Sequence, residues 1–256
     1  MIGILDSNLS GLILTKEIID KFPKYQILYF ADTAHGPFGN KGKNIIKKYT
    51  EEGIDFLMKK GAKLIIISDS SMATALEGIE TKVPIISFMD WAMDLAIKVS
   101  KNKRIGMIAS QAVINSNFAT KTIHQIDKRA KVLIKATPLL WPLIKENWTN
   151  RIVTKKILRA YLYELHCKQI DTLILADTAY YQLRDIIQIK IGRQVKIISL
   201  VSFIYSYLQN FLEDNLEIKK NLSQGSLRQF FVSDINNQAK YLAREWFGSK
   251  IELKEI

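Results

Sequence analysis

The 256-residue sequence predicts an α/β protein built on parallel sheets. Three observations point there. Eight short apolar runs of strand length, rich in β-branched residues, recur along the chain. Longer stretches of helical periodicity separate them. The runs are almost continuously apolar, as strands buried on both faces of a sheet are. Strand-helix alternation of this kind implies parallel strands joined by right-handed crossovers.

In chain order the runs are IGILD, ILYFAD, LIIISD, VPIISFMD, RIGMIAS, VLIKAT, TLILAD and VKIISLV. Between the second and third, residues 43–60 repeat Ile46, Tyr49, Gly53 and Leu57 at helical spacing, with lysines and glutamates opposite. Between the sixth and seventh, residues 150–166 do the same with Val153, Ile157, Tyr161 and Leu165. No Pro- or Gly-rich linker and no low-complexity segment divides the chain. Domain crossings are therefore expected at ordinary turns near 98–104 and near 206. That gives one domain from 1–97 with 207–256 and a second from 98–206.

Composition narrows the function classes. With 48% apolar and 24% charged residues the chain forms a packed core, which excludes wholesale disorder. No apolar run approaches the roughly 18 residues that span a bilayer, so no membrane partner is expected. The opening MIGILDSN reaches an acid at its sixth residue and has no basic region ahead of an apolar one, unlike a secretory signal. A cytoplasmic protein is expected. One cysteine, Cys167, allows no internal disulfide and no cysteine-cluster metal site; it lies in a helical pattern and reads as structural.

Thirty-seven basic against 25 acidic residues give a net charge of +12, which raises nucleic acid as a partner. The basic residues are spread, however, as KGK at 41–43, KNKR at 101–104 and lysine pairs at 47–48, 59–60, 155–156 and 219–220. Solvated surface is the favoured reading, and nucleic acid is held in reserve. His35, His124 and His166 are dispersed, without metal-ligand spacing. No Gly-rich phosphate loop is present, since NLSG lacks the glycines. Trp91, Trp141, Trp148 and Trp246 fall in apolar patterns, as core or interface residues do. No cofactor and no resident metal are expected.

One regularity is sharper than the fold. Five runs end on aspartate: Asp6, Asp32, Asp69, Asp90 and Asp177. Open α/β sheets bind ligands at the carboxyl ends of their strands. Small polar residues follow in LDSN, ADTA, SDSS and again ADTA, offering hydroxyls and N–H groups where a helix begins. Taken singly, each such aspartate reads as a helix N-cap. Taken together, LIIISDSS and TLILADTA read as equivalent places in two halves of one molecule, two half-sites facing each other across a cleft.

At these residues the chain resembles the glutamate racemases, of the cofactor-independent aspartate/glutamate racemase superfamily, over essentially its whole length. IGILDSNLSGL resembles the opening strand and Asp-Ser-Gly-x-Gly-Gly turn. YFADTAHGPFG resembles the Asp-Thr-Ala-x-x-Pro-Tyr-Gly segment, and IGMIASQAVINS the opening of the second domain. ATPLLWPLIKEN is similar to the Cys-Pro-Leu-x-x-Pro-Leu stretch, and FFVSDINNQAKYLAREWFG to the closing Tyr-Val-Thr-Asp strand and helix. The resemblance implies two doubly wound α/β domains related by a pseudo-twofold, with the active site between them. It also implies a small amino or carboxylic acid as ligand and a homodimer.

In that family two cysteines, one per domain, remove and return the α-proton from opposite faces. They occur in Cys-Asn-Thr-Ala and Gly-Cys-Thr-His segments. Here those segments read Asp69-Ser70-Ser71-Met72 and Ala176-Asp177-Thr178-Ala179, so both cysteines are aspartates and the histidine is Ala179. Asn8 and Ser10 stand at two glycine positions, and Lys145 at an acidic one. Cys167 matches neither catalytic position, which excludes thiol racemisation.

The ligand-holding side is kept. Asp6 and Ser7 match the Asp-Ser that meets the substrate amino group, and Pro37, Phe38 and Gly39 match the Pro-Tyr-Gly whose backbone helps hold a carboxylate. Ser70, Ser71 and Thr178 keep small polar side chains in the two altered segments.

A carboxylate near pKa 3.9 is about 4.6 units, or about 6 kcal/mol, less basic than a thiolate near 8.5. If half of that enters the barrier, the loss is about 3 kcal/mol, roughly a hundredfold in rate. Burial returns part of it by raising the pKa. Charge adds a second constraint, because Asp6, Asp69 and Asp177 would face an anionic ligand. A protonated aspartate, a cationic or neutral ligand, or a hard cation such as Mg²⁺ among the oxygens would relieve it; the cation is the least supported. Three functions follow: two-base proton transfer by Asp69 and Asp177 on a small amino or carboxylic acid, a catalytically inactive homologue that binds a ligand or protein, and a nucleic-acid role for the basic charge.

Overall fold

The computed structural model describes all residues, Met1–Ile256. The chain runs β1 (Ile2–Asp6), α1 (Gly11–Lys21), β2 (Ile27–Ala31), α2 (Lys43–Lys59), β3 (Leu64–Ile67), α3 (Ser70–Ala73), β4 (Ile85–Ser87) and α4 (Phe88–Val99). It continues β5 (Arg104–Ala109), α5 (Gln111–Ser116), α6 (Phe118–Ile126), β6 (Lys131–Ala136), α7 (Leu140–Lys145), α8 (Ile152–Cys167), β7 (Thr172–Leu175), α9 (Arg184–Ile191) and β8 (Lys196–Ser199). It closes with α10 (Ile204–Asp214), α11 (Leu216–Asn221), β9 (Arg228–Val232), α12 (Asn237–Trp246) and β10 (Leu253–Glu255).

Two compact units result. The first, Met1–Phe88 with Val201–Ile256, carries a six-stranded parallel sheet ordered β10-β9-β2-β1-β3-β4. The second, Met89–Leu200, carries a four-stranded parallel sheet ordered β6-β5-β7-β8. The chain passes between units within the first turn of α4, between Phe88 and Met89, ahead of the turn near 98–104. It returns at 200–201 rather than near 206.

All eight apolar runs form strands. Their continuity has the expected cause: β1, β2, β3 and β7 are buried at every residue. The edge strand β6 is only half-buried. β10 was not anticipated, since three residues of IELKEI give no periodicity to read.

Two expectations need correction. VPIISFMD is not one strand: β4 ends at Ser87 and Asp90 lies in the first turn of α4, because the apolar run continues unbroken across the boundary. In α8 the buried stripe is Thr154, Leu158, Leu162 and Leu165, one residue on from the expected Val153, Ile157 and Tyr161; Val153 is 41% exposed. The expected face of α2 holds better, with Ile46, Gly53 and Leu57 buried beside Thr50 and Ile54. No helix is long and apolar enough to cross a membrane.

Candidate active site

In the first unit the site grows from the carboxyl ends of β1 and β3. Asp6, the last residue of β1, is fully buried. Its Oδ1 accepts from the backbone N–H of Ser7 at 2.8 Å and of Asn8 at 3.4 Å, and its Oδ2 from the N–H of Gly11 where α1 begins. A carboxylate there is favoured by the unpaired N–H groups of the helix start. Gly11 leaves room for both side chains, since a Cβ there would displace Asp6 Oδ2 and Ser68 Oγ.

The turn needs no glycine at Asn8 or Ser10. Neither has positive φ, and Asn8 Oδ1 accepts from Ser10 N at 2.7 Å, an Asx turn that closes the loop with a side chain. Tyr29, fully buried in β2, donates its hydroxyl to Asn8 O at 2.9 Å with Asp6 Oδ2 3.4 Å away. Burial, then the charge of Asp6, pushes the Tyr29 phenol well above its usual value, so it stays a donor. The run ILYFAD showed that a hydroxyl here would need a partner, but not which one.

Asp69 follows β3 and caps α3. Its Oδ1 accepts from Ser71 N at 2.6 Å and Met72 N at 3.0 Å, while Oδ2 accepts a short hydrogen bond from Ser7 Oγ. Ser7 Oγ in turn receives Asn8 Nδ2 and Phe38 N, each at 3.4 Å. Burial pushes the Asp69 carboxyl up from 3.8, and the bonds from Ser7, Met72 and Ser71 pull only partly against it. Phe38 is fully buried in a short 3₁₀ turn behind the cis Gly36–Pro37 bond, with Pro37 exposed. Gly36 lies so close to Ser7 that any Cβ would overlap the Ser7 carbonyl. The structure thus brings Asp6, Ser7, Phe38, Asp69 and Ser71 together, with Ser70 buried beside them.

In the second unit Asp177 follows β7 and caps the 3₁₀ segment Thr178–Leu183, its Oδ1 accepting from Ala179 N at 2.8 Å. Thr178 is buried and Asp177 partly exposed. Below them Thr137 Oγ, in the ATPLL stretch, meets the Tyr180 hydroxyl at 2.9 Å. Each candidate aspartate is therefore a strand-end N-cap.

Asp32 follows the last residue of β2, and its carboxylate is held by His35 Nδ1 at 2.9 Å and Ser233 Oγ at 2.7 Å, which ties β2 to β9. No group of three or more His, Cys, Asp or Glu is placed to hold a metal ion. Cys167 is exposed at the last residue of α8, and Trp148 is 47% exposed; neither packs in the core.

No family model matches the sequence. The chain is, however, 33% identical to glutamate racemase of Sulfurihydrogenibium sp., over 100% of this chain and 98% of the relative. The crystal structure of a glutamate racemase isoform from Bacillus anthracis superposes with a TM-score of 0.90 at 27% identity, covering 100% of this chain and 97% of that one. Glutamate racemase of Francisella tularensis, solved in complex with D-glutamate, gives a TM-score of 0.90 at 25% identity over 100% of this chain and 96% of that one. The architecture is that of the aspartate/glutamate racemase superfamily. Within it, the chain belongs to the glutamate racemase family.

Proposed function

We propose that the protein moves a proton at the α-carbon of a small amino or carboxylic acid, with Asp69 and Asp177 in place of the family's two cysteines. One carboxylate removes the proton and the other returns one. The observation that carries this reading is the pair itself. Each unit presents the same residue type two residues past an interior strand, followed by a buried hydroxyl residue, Ser70 or Thr178. The raised Asp69 carboxyl is the direction a carboxylate must take to recover basicity lost against a thiolate. Ser7, Ser70, Ser71 and Thr178, with the backbone of Pro37, Phe38 and Gly39, would hold the ligand. Asp6 would serve by folding the loop that presents Ser7, since its carboxylate is turned into its own backbone. A D-glutamate complex in a relative makes glutamate the first substrate to try. A homodimer belongs to the same reading and is checked by light scattering.

The test is the pH-rate profile. With Asp69 acting as base, the rate rises with pH through its raised pKa, and Asp69→Asn and Asp177→Asn each abolish turnover in at least one direction. A profile that neither substitution alters contradicts the assignment.

A second reading has its own observation. Both aspartates are N-caps with backbone N–H groups on a carboxylate oxygen, a role that explains their presence without chemistry. A ligand-binding homologue without turnover follows from it, and measurable turnover by the purified protein removes it.

A further inference from the structure

Three basic residues line one concave place in the second unit. Arg104 opens β5, Lys131 opens β6 and Lys168 follows α8; together with Cys167 they line a cavity of about 390 Å³ in the second unit. Its remaining wall is apolar: Val132, Leu133 and Ile170. The volume is that of a small-molecule pocket.

No carboxylate lines the cavity, and none of the three cations is ion-paired. Arg104 Nη1 donates to Gln169 Oε1 at 2.8 Å, which orients the guanidinium without neutralising it. Asp171, one residue past Ile170, is held by Ser100 Oγ and the N–H groups of Lys101 and Asn102. Two further cavities each carry carboxylates among their lysines: one has Glu213 beside Lys21, Lys24 and Lys219, the other Asp55 and Glu80 beside Lys59 and Lys82. Three unpaired cations around one concavity repel one another and concentrate anions there.

We propose that this cavity binds a small anion bearing at least two negative charges on a flat apolar body, a phosphomonoester of a heterocycle being the fitting class. The cations take the phosphate and the wall of Val132, Leu133 and Ile170 takes the ring. The site lies at the amino ends of β5 and β6, whereas Asp177 lies beyond the carboxyl end of β7. In this parallel sheet those are opposite ends, so the ligand does not compete with Asp177.

Cys167 supplies the readout. It is the chain's single cysteine, so thiol labelling reports on this cavity alone. Labelling of the intact protein by anionic dithiobis(nitrobenzoate) is compared with labelling by neutral dithiodipyridine, each relative to free cysteine; thiolate fraction cancels in the ratio. At low ionic strength the protein favours the anionic reagent by about tenfold over free cysteine, and salt removes the preference. Lys131→Glu with Lys168→Glu abolishes it. Millimolar adenosine monophosphate slows labelling by both reagents, beyond the effect of sodium chloride at equal ionic strength.

A reagent ratio equal to that of free cysteine overturns the proposal, as does protection by adenosine monophosphate no greater than that by salt. Pyrophosphate protecting as well as adenosine monophosphate overturns the part assigned to the apolar wall.

Discussion

Ser7 Oγ accepts from Phe38 N and from the Asn8 amide, so its own proton is directed at Asp69. That hydroxyl stabilises ionised Asp69, against the burial that raises it. Ser7→Ala therefore moves the rising limb of the pH-rate profile to higher pH while leaving its shape unchanged. Stability responds to the same group. With a native pKa above the unfolded 3.8, Asp69 binds protons more readily folded than unfolded. Its contribution is present below the unfolded value and lost as pH rises through the raised one. Asp69→Asn removes that fall, so stability drops less between about pH 4 and pH 7 than in the native chain, as urea unfolding at the two pH values measures. The residue types at this site were legible in the sequence, because strand-end aspartates followed by serines are visible as letters. Tyr29, Gly11 and Gly36 were not singled out: their roles depend on what lies across the sheet or loop, which spacing along one chain does not contain.

At the scale of elements, strand positions followed from continuous apolarity, and errors arose where that signal lacks contrast. The run that merges β4 with α4 gave Asp90 a strand-end place it does not have. The face of α8 was misread by one residue, because Ile152, Val153 and Ile157 are apolar while the buried stripe begins with a threonine. This register is testable. Leu162→Ala, at 1% exposure, costs about 2–5 kcal/mol, whereas Val153→Ala stays within about 0.5 kcal/mol. The loop joining α4 to β5 hangs on Asp171, which accepts from Ser100 Oγ at 2.6 Å and from Lys101 N and Asn102 N at 2.7 Å each. Burial opposes the charge there, but these bonds and that of Thr172 outweigh it and hold the carboxyl below 3.8. Stability from Asp171 is thus present above the unfolded value and lost as pH falls through the native one. Asp171→Ala costs about 1–3 kcal/mol at pH 7, read by urea unfolding.

Across the whole molecule, two parallel-sheet units each place an aspartate two residues past an interior strand, Asp69 after β3 and Asp177 after β7. Family and fold were legible in collinear motifs spread over the chain. The reaction was not, because the two segments that would carry it over by resemblance hold carboxylates, Asp69 and Asp177, in this chain. The most direct measurement is proton NMR of the purified protein in D₂O with both enantiomers of glutamate and aspartate, following loss of the α-proton signal. Two-base chemistry by the aspartates predicts exchange with at least one of these amino acids, lost for at least one enantiomer in each of Asp69→Asn and Asp177→Asn. Exchange of both enantiomers that survives in both variants, or no exchange from the native protein with any amino acid offered, contradicts it.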